Sequence, residues 1–261
     1  MPDIKLVLTD MDGTIVQFGK HEVSERVREA VIACENVGIK VAAVTGRPFE
    51  MAQPVLEILG FEDLCVFDNG ATIINPKTGE VVYAQLMEAE TVRQVANAVL
   101  PFAKIIDYAV NLDEHVPADN EAERIAAIDF AAASAYALVS PDKLDDVSRE
   151  LDKIADISYY DAASTRSEYP DYRGLQITHI RATKFHGVEA LRAISGISKE
   201  ETLGIGDHDN DLPLFENAGL KIAMGNASDK LKAEADHIVA SVDDDGFVEA
   251  MERFVLKAPL D

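Results

Sequence analysis

Five short apolar runs, each closed abruptly by small, polar or acidic residues, limit what this chain can fold into. Ile4 to Leu8 stops at Thr9-Asp10, Ile39 to Val44 at Thr45-Gly46-Arg47, and Leu64 to Phe67 at Asp68-Asn69-Gly70. Thr202 to Ile205 stops at Gly206-Asp207, and Leu220 to Met224 at Gly225-Asn226. None alternates cleanly between apolar and polar, which suits strands buried on both faces, as in a parallel sheet. After the first run, Val27, Ala30, Val31, Cys34 and Val37 recur at helical spacing, with Ser24 placed as an N-cap and Gly38 as a stop. Strands alternating with helical segments predict an α/β fold, a doubly wound and mostly parallel sheet. Such sheets bind ligands at the carboxyl ends of their strands. Turns favour Asp, Asn and Gly for their own reasons, so the functional reading needs complementary chemistry at several strand ends at once.

Between 85 and 181 the pattern changes. A hairpin from Ala71 to Ala84, turning through Asn75-Pro76-Lys77-Thr78-Gly79, closes the first part. The sequence then predicts an amphipathic helix from Ala89 to Leu100, a strand from Ile105 to Val110, and an acidic, alanine-rich helix from Asn120 to Ala133. A strand from Ala135 to Val139, a helix from Asp142 to Ile154, and strands near Ile157 to Tyr160 and Leu175 to Ile180 follow. This is α+β material inserted into the parallel series, giving 1–84 with 182–261 as one domain and 85–181 as the other.

Charge narrows the partners. Forty-seven acids against 24 bases give −23; the insert holds 18 acids and 9 bases, net −9, leaving −14 for the rest. A field of that sign repels phosphate backbones and anionic lipid, so neither nucleic acid nor a membrane surface is expected as a partner. No run of 18 apolar residues occurs, and Met1-Pro2-Asp3-Ile4-Lys5 does not read as the start of a secretory signal. The two cysteines, Cys34 and Cys65, stand in apolar surroundings. Together these features predict a cytoplasmic protein.

The strand-end residues carry the chemistry. In Asp10-Met11-Asp12-Gly13-Thr14, two carboxylates two residues apart can aim one side chain and one backbone carbonyl at the same cation, and Gly13 permits the tight turn. Gly206-Asp207-His208-Asp209-Asn210-Asp211 offers further oxygen ligands for a hard cation. An EF-hand loop starting at Asp207 fails, with Leu212 where Gly is needed and Ala218 where Glu is needed. A Walker A loop from Gly13 fails too, because His21 follows Gly19-Lys20 where Ser or Thr should. A cysteine phosphatase would need arginine six residues after its thiol, where Lys40 and Ala71 stand, and no Gly-x-Ser-x-Gly elbow is present. What survives is an aspartate-centred, Mg²⁺-dependent phosphate site.

Asp10-x-Asp12-Gly13-Thr14, Thr45-Gly46-Arg47, Lys184 and Gly206-Asp207-x-x-Asn210-Asp211 resemble, in order, the four motifs of the haloacid dehalogenase superfamily. The resemblance is closest to the Cof-type phosphatases of subclass IIB, and extends to Asp68-Asn69-Gly70-Ala71 and the run from Gly219 to Asp236. It implies a Rossmann-like core with an inserted α+β cap domain that sets substrate specificity. Asp10 would be the nucleophile and Asp12 the general acid and base. Mg²⁺ would be held by Asp10, the Asp12 carbonyl, Asp207 and Asp211. Thr45, Gly46, Lys184 and Asn210 would bind the transferring oxygens, while Arg47 would meet a second anionic group or form a structural ion pair. His115, Arg124, Arg166, Tyr172 and His179 are the insert residues that could line a substrate pocket. The implied activity is hydrolysis of small phosphorylated metabolites, sugar phosphates first. Pyridoxal phosphate, nucleotide phosphates and a phosphomannomutase-like transfer are the alternatives.

Overall fold

Every residue of β1 (Leu6–Thr9) is buried, so both faces of the strand are covered and the absence of alternation in its sequence is accounted for. The computed structural model describes residues 3–17, 22–110, 114–115, 125, 128–163 and 169–260. The chain divides into two compact units, Met1–Tyr83 with Thr183–Asp261, and Ala84–Ala182.

In the first unit β1 lies between β2 (Lys40–Ala43) and β11 (Thr202–Gly206), and β12 (Leu220–Ala223) and β13 (His237–Ile238) extend the sheet beyond β11. All four pairings are parallel, in the order β13-β12-β11-β1-β2. The chain leaves β1 toward β2 on one side and returns to β11 on the other, so the carboxyl end of β1 sits where the strand order reverses. Open α/β sheets place ligands at that point. The helix Glu25–Asn36 packs against the helix Phe49–Leu59, whereas Lys184–Ser195 packs against Leu212–Glu216. The expected third parallel strand is shorter than its apolar run. β3 (Cys65–Phe67) forms a small antiparallel sheet with β4 (Thr72–Ile74) and β5 (Val81–Ala84), and a single parallel bridge from Val44 to Val66 joins it to the end of β2. Cys34 and Cys65 are free thiols, both fully buried.

The second unit is an antiparallel sheet, β7-β6-β8-β10-β9, built from β6 (Ala103–Val110), β7 (Glu114–His115), β8 (Ala132–Val139), β9 (Ile157–Ala163) and β10 (Arg173–His179). Val92, Val95, Ala96 and Val99 of the helix Ala89–Val99 and Val147 and Leu151 of Leu144–Leu151 pack with Ile106, Ala135, Ala137, Leu175 and Ile177 in one core. The expected helix from Asn120 to Ala133 needs correcting at its end. Ala132 and Ala133 belong to β8: Ala132 pairs with Val110 of β6 and bridges to Met87, and both alanines are buried, so pairing and burial override the helical preference of alanine. Much of the rest of that stretch, and Arg124 and Arg166, lie outside the described residues.

One helix tests the packing. Leu56 is fully buried on Phe49–Leu59, and Ile58, two positions on, is 52% exposed. Leu56→Ala is expected to cost about 2–5 kcal/mol of stability and Ile58→Ala less than about 0.5 kcal/mol, read as the difference in urea unfolding midpoints.

Candidate active site

Asp10 follows β1 directly, and its backbone N–H donates to the Ile205 carbonyl at 3.1 Å, pinning the loop to the end of β11. Gly13 then turns with φ +83°, and a Cβ there would stand 2.2 Å from an Asp207 carboxylate oxygen. Glycine is required on both counts, for the left-handed backbone and for the approach of Asp207. Asp211 is fully buried. Its Oδ2 accepts the N–H groups of Asp207 at 2.9 Å and His208 at 3.1 Å, and its Oδ1 accepts from Lys184 Nζ at 2.7 Å.

Lys184 ties the strand ends together. It opens the helix Lys184–Ser195, capped by the Thr183 hydroxyl, which accepts the His186 N–H at 3.3 Å. Gly187 brings that helix onto the Asp68–Gly70 turn so closely that a Cβ would lie 2.7 Å from Gly70 Cα. From there Lys184 Nζ donates to Asp10 Oδ1 at 2.5 Å as well as to Asp211, with only 3% of the residue exposed. Carboxylate oxygens of Asp10, Asp207 and Asp211 all lie within 4.8 Å of one another.

Three carboxylates and one ammonium, all ionised, would sum to −2 in a site with little water. Burial, and then the neighbouring carboxylates, push the Asp10 carboxyl well above its ordinary range despite Lys184. Burial alone would lower the Lys184 pKa, but Asp10 and Asp211 outweigh it and hold the ammonium charged. Asp207 is pushed up to about 6, by burial first and Asp211 second. An all-oxygen cluster short of positive charge has the donor chemistry that a hard divalent cation takes.

The remaining predicted residues divide. Arg47 grips Asp12, with Nε to Oδ2 at 2.8 Å and Nη2 to Oδ1 at 2.6 Å, so of its two expected roles the structure shows the ion pair. Thr45 is buried and its hydroxyl accepts the Arg47 N–H at 3.1 Å, shaping the loop around Gly46. Asn210 is exposed on the Asp209–Asp211 turn and stands outside the Asp10–Lys184–Asp211 hydrogen bonds. Of the insert residues, His179 Nδ1 accepts the Arg181 N–H, Tyr172 packs edge-on against Tyr169, and His115 lies in β7 opposite Ala109. The sequence reasoning assigned no role to Asn226. Its Nδ2 donates to the Gly13 carbonyl at 2.8 Å and to Asp207 at 3.3 Å, and its Oδ1 accepts the Val242 N–H. Its signal was its position, at the end of the fifth apolar run.

The parallel sheet places a lysine-braced aspartate cluster at its strand reversal, and comparison with known proteins gives the class, a hydrolase of phosphoryl-transfer type. A profile of haloacid dehalogenase-like hydrolases matches residues 7–251, and the chain belongs to that family, among its Cof-type phosphatases. A haloacid dehalogenase-like hydrolase from Bacteroides thetaiotaomicron superposes with a TM-score of 0.80 at 28% identity, covering 96% of this chain and 99% of that one. A phosphoglycolate phosphatase of Methanobrevibacter smithii is 26% identical, over 97% of this chain and 100% of its own. A subclass IIB sugar phosphatase shares the fold, with a TM-score of 0.72 at 24% identity and coverage of 96% and 98%.

Two outcomes test the electrostatics. Lys184→Met leaves buried carboxylates without their counter-charge and is expected to cost about 3–5 kcal/mol of stability in EDTA, by urea unfolding. Asp207 has a folded pKa of about 6 against 3.8 in the open chain, so the folded form binds its proton more tightly. Its contribution therefore falls as pH rises from about 4 to about 6 and is level above. A divalent cation competes with that proton and should raise Tm by several degrees more at pH 7.5 than at pH 5. Equal rises at the two pH values would show that the cation binds elsewhere.

Proposed function

We propose that the chain is a Mg²⁺-dependent phosphomonoesterase that hydrolyses small phosphorylated metabolites, sugar phosphates foremost, through an aspartyl phosphate on Asp10. The observation that carries this reading is the convergence of Asp10, Asp207 and Asp211 within 4.8 Å, with Lys184 Nζ shared between Asp10 and Asp211. Asp10 attacks phosphorus as the ester P–O bond breaks, and Asp12 delivers the proton that the departing alkoxide takes up. Asp12 then removes a proton from the water that hydrolyses the aspartyl phosphate, returning phosphate and free Asp10. Lys184, Thr45, Gly46 and Asn210 bind the transferring oxygens. In this reading Asp10, the Asp12 carbonyl and Asp207 hold Mg²⁺. Asp211 would reach it through a water, because both its carboxylate oxygens already accept hydrogen bonds. The cation supplies charge neutralisation that a carboxylate and a phosphate dianion need in a −23 protein.

The Ala84–Ala182 unit serves as the cap, the part that selects the substrate. No helix among the described residues is long and apolar enough to cross a membrane. With the acidic charge and two buried free thiols, this supports a cytoplasmic enzyme of small molecules.

The test is phosphate release from a panel of sugar phosphates, phosphoglycolate, nucleotides and pyridoxal phosphate, with Mg²⁺ and with EDTA. Release should need Mg²⁺, and Asp10→Asn should lower kcat at least about a thousandfold, since phosphate monoesters are among the slowest uncatalysed substrates. Turnover that survives Asp10→Asn would remove the aspartyl phosphate from the mechanism.

A further inference from the structure

Asn226 is an exposed residue, yet every polar group of its side chain is engaged. Its Nδ2 carries two protons. One goes to the Gly13 carbonyl at 2.8 Å and the other to Asp207 Oδ2 at 3.3 Å, while Oδ1 accepts the Val242 N–H at 2.9 Å. Turned over, the amide would set its oxygen against a carbonyl and a carboxylate, and its own N–H groups against an N–H. One orientation is therefore selected, and the backbone on both sides selects it.

Close backbone packing brings Asn226 to this place. Gly225 lies so near the segment after β13 that a Cβ would stand 2.8 Å from the Ser241 nitrogen. The Ala227 N–H closes a turn onto the Met224 carbonyl at 2.9 Å. The Ser228 N–H donates to the main-chain carbonyl of Asp207 itself, also at 2.9 Å. The two segments are thus tied twice, through main chain and through side chains. On its other oxygen Asp207 accepts the Thr14 hydroxyl at a long 3.5 Å.

Hydrogen bonds of an exposed amide contribute little to folding, because water replaces them. What they orient matters more. Lys184 satisfies Asp10 and Asp211 with a full positive charge, whereas the amide and hydroxyl on Asp207 are neutral. A neutral donor fixes a carboxylate and leaves its charge for a cation. Groups that hydrogen-bond a metal ligand from behind set its direction and the affinity of the site.

We propose that Asn226 is a positioning residue of the cation site: it fixes the Asp207 carboxylate against the Gly13 turn, in an orientation set by the Val242 N–H. The inference rests on the Mg²⁺-dependent phosphatase reading above and adds to it a residue from outside the four motifs.

The experiment titrates the full chain with MgCl₂ at pH 7.5 after EDTA treatment. It reads the rise in Tm and the rate of phenyl phosphate hydrolysis, each of which gives a half-saturating Mg²⁺ concentration. The wild type is tested beside Asn226→Ala, which removes the amide, and Val242→Pro, which removes the N–H that orients it. Proline suits position 242, the first residue of the 3₁₀ turn Val242–Asp244 after an extended Ser241 with φ −73° and ψ 168°. Neither substitution touches a carboxylate of the cluster. The half-saturating Mg²⁺ should rise about tenfold in Asn226→Ala and at least about threefold in Val242→Pro, in both readouts. A residue with a structural role alone would lower Tm in EDTA and leave that concentration where it was. A value within about twofold of the wild type's in Asn226→Ala would overturn the inference and leave the phosphatase reading standing. A shift in Asn226→Ala with none in Val242→Pro would overturn the orientation assigned to the amide. A wild type with neither a Mg²⁺-dependent rise in Tm nor Mg²⁺-dependent phosphate release would overturn the reading and the inference together.

Discussion

The buried contact of Lys184 with Asp10 and Asp211 organises the first unit. It joins the end of β1, the start of the Lys184–Ser195 helix and the turn after β11, three places far apart in sequence. Burying an ammonium and two carboxylates is costly unless each finds a partner. The backbone N–H groups on Asp211 Oδ2 and the two carboxylates on Lys184 meet that condition. The glycines follow from it. Gly13 and Gly206 have no Cβ because Asp207 and Asp211 occupy the space, and Gly187 has none because its helix must come close enough for Lys184 to reach.

The same contact sets a local charge against the general acidity of the chain, −23 overall. General acidity repels polyanions. A single buried lysine, Lys184, places one positive charge between Asp10 and Asp211. Arg47 adds a second cation nearby, held by both oxygens of Asp12.

Much of the first unit was legible in the sequence because strand ends are local. An apolar run that stops at Thr9-Asp10 or Gly206-Asp207 shows both the strand and the end at which the aspartates gather. Lys184 was visible only through the order of motifs, since nothing local distinguishes it from a surface lysine. The pairing of Arg47 with Asp12 and the bridge made by Asn226 depend on loops meeting across 35 and 213 residues of chain, which no periodicity reports. In the second unit the alanine-rich stretch misled at Ala132 and Ala133 because Ala132 pairs with Val110 of β6 and bridges to Met87, a tertiary effect.

The position of β1 also bears on how the molecule is made. Its partner β11 lies 196 residues away, Leu6 pairing with Thr202. On a ribosome the first strand emerges early and must wait, apolar and unpaired on one edge, until nearly four-fifths of the chain exists. The Ala84–Ala182 unit is continuous in sequence, has its own core, and lacks this delay. Any nascent or truncated product ending before Thr202 therefore carries Asp10 but has no β11 to pin its loop, and none of the residues from Asp207 to Asp211 that complete the cluster.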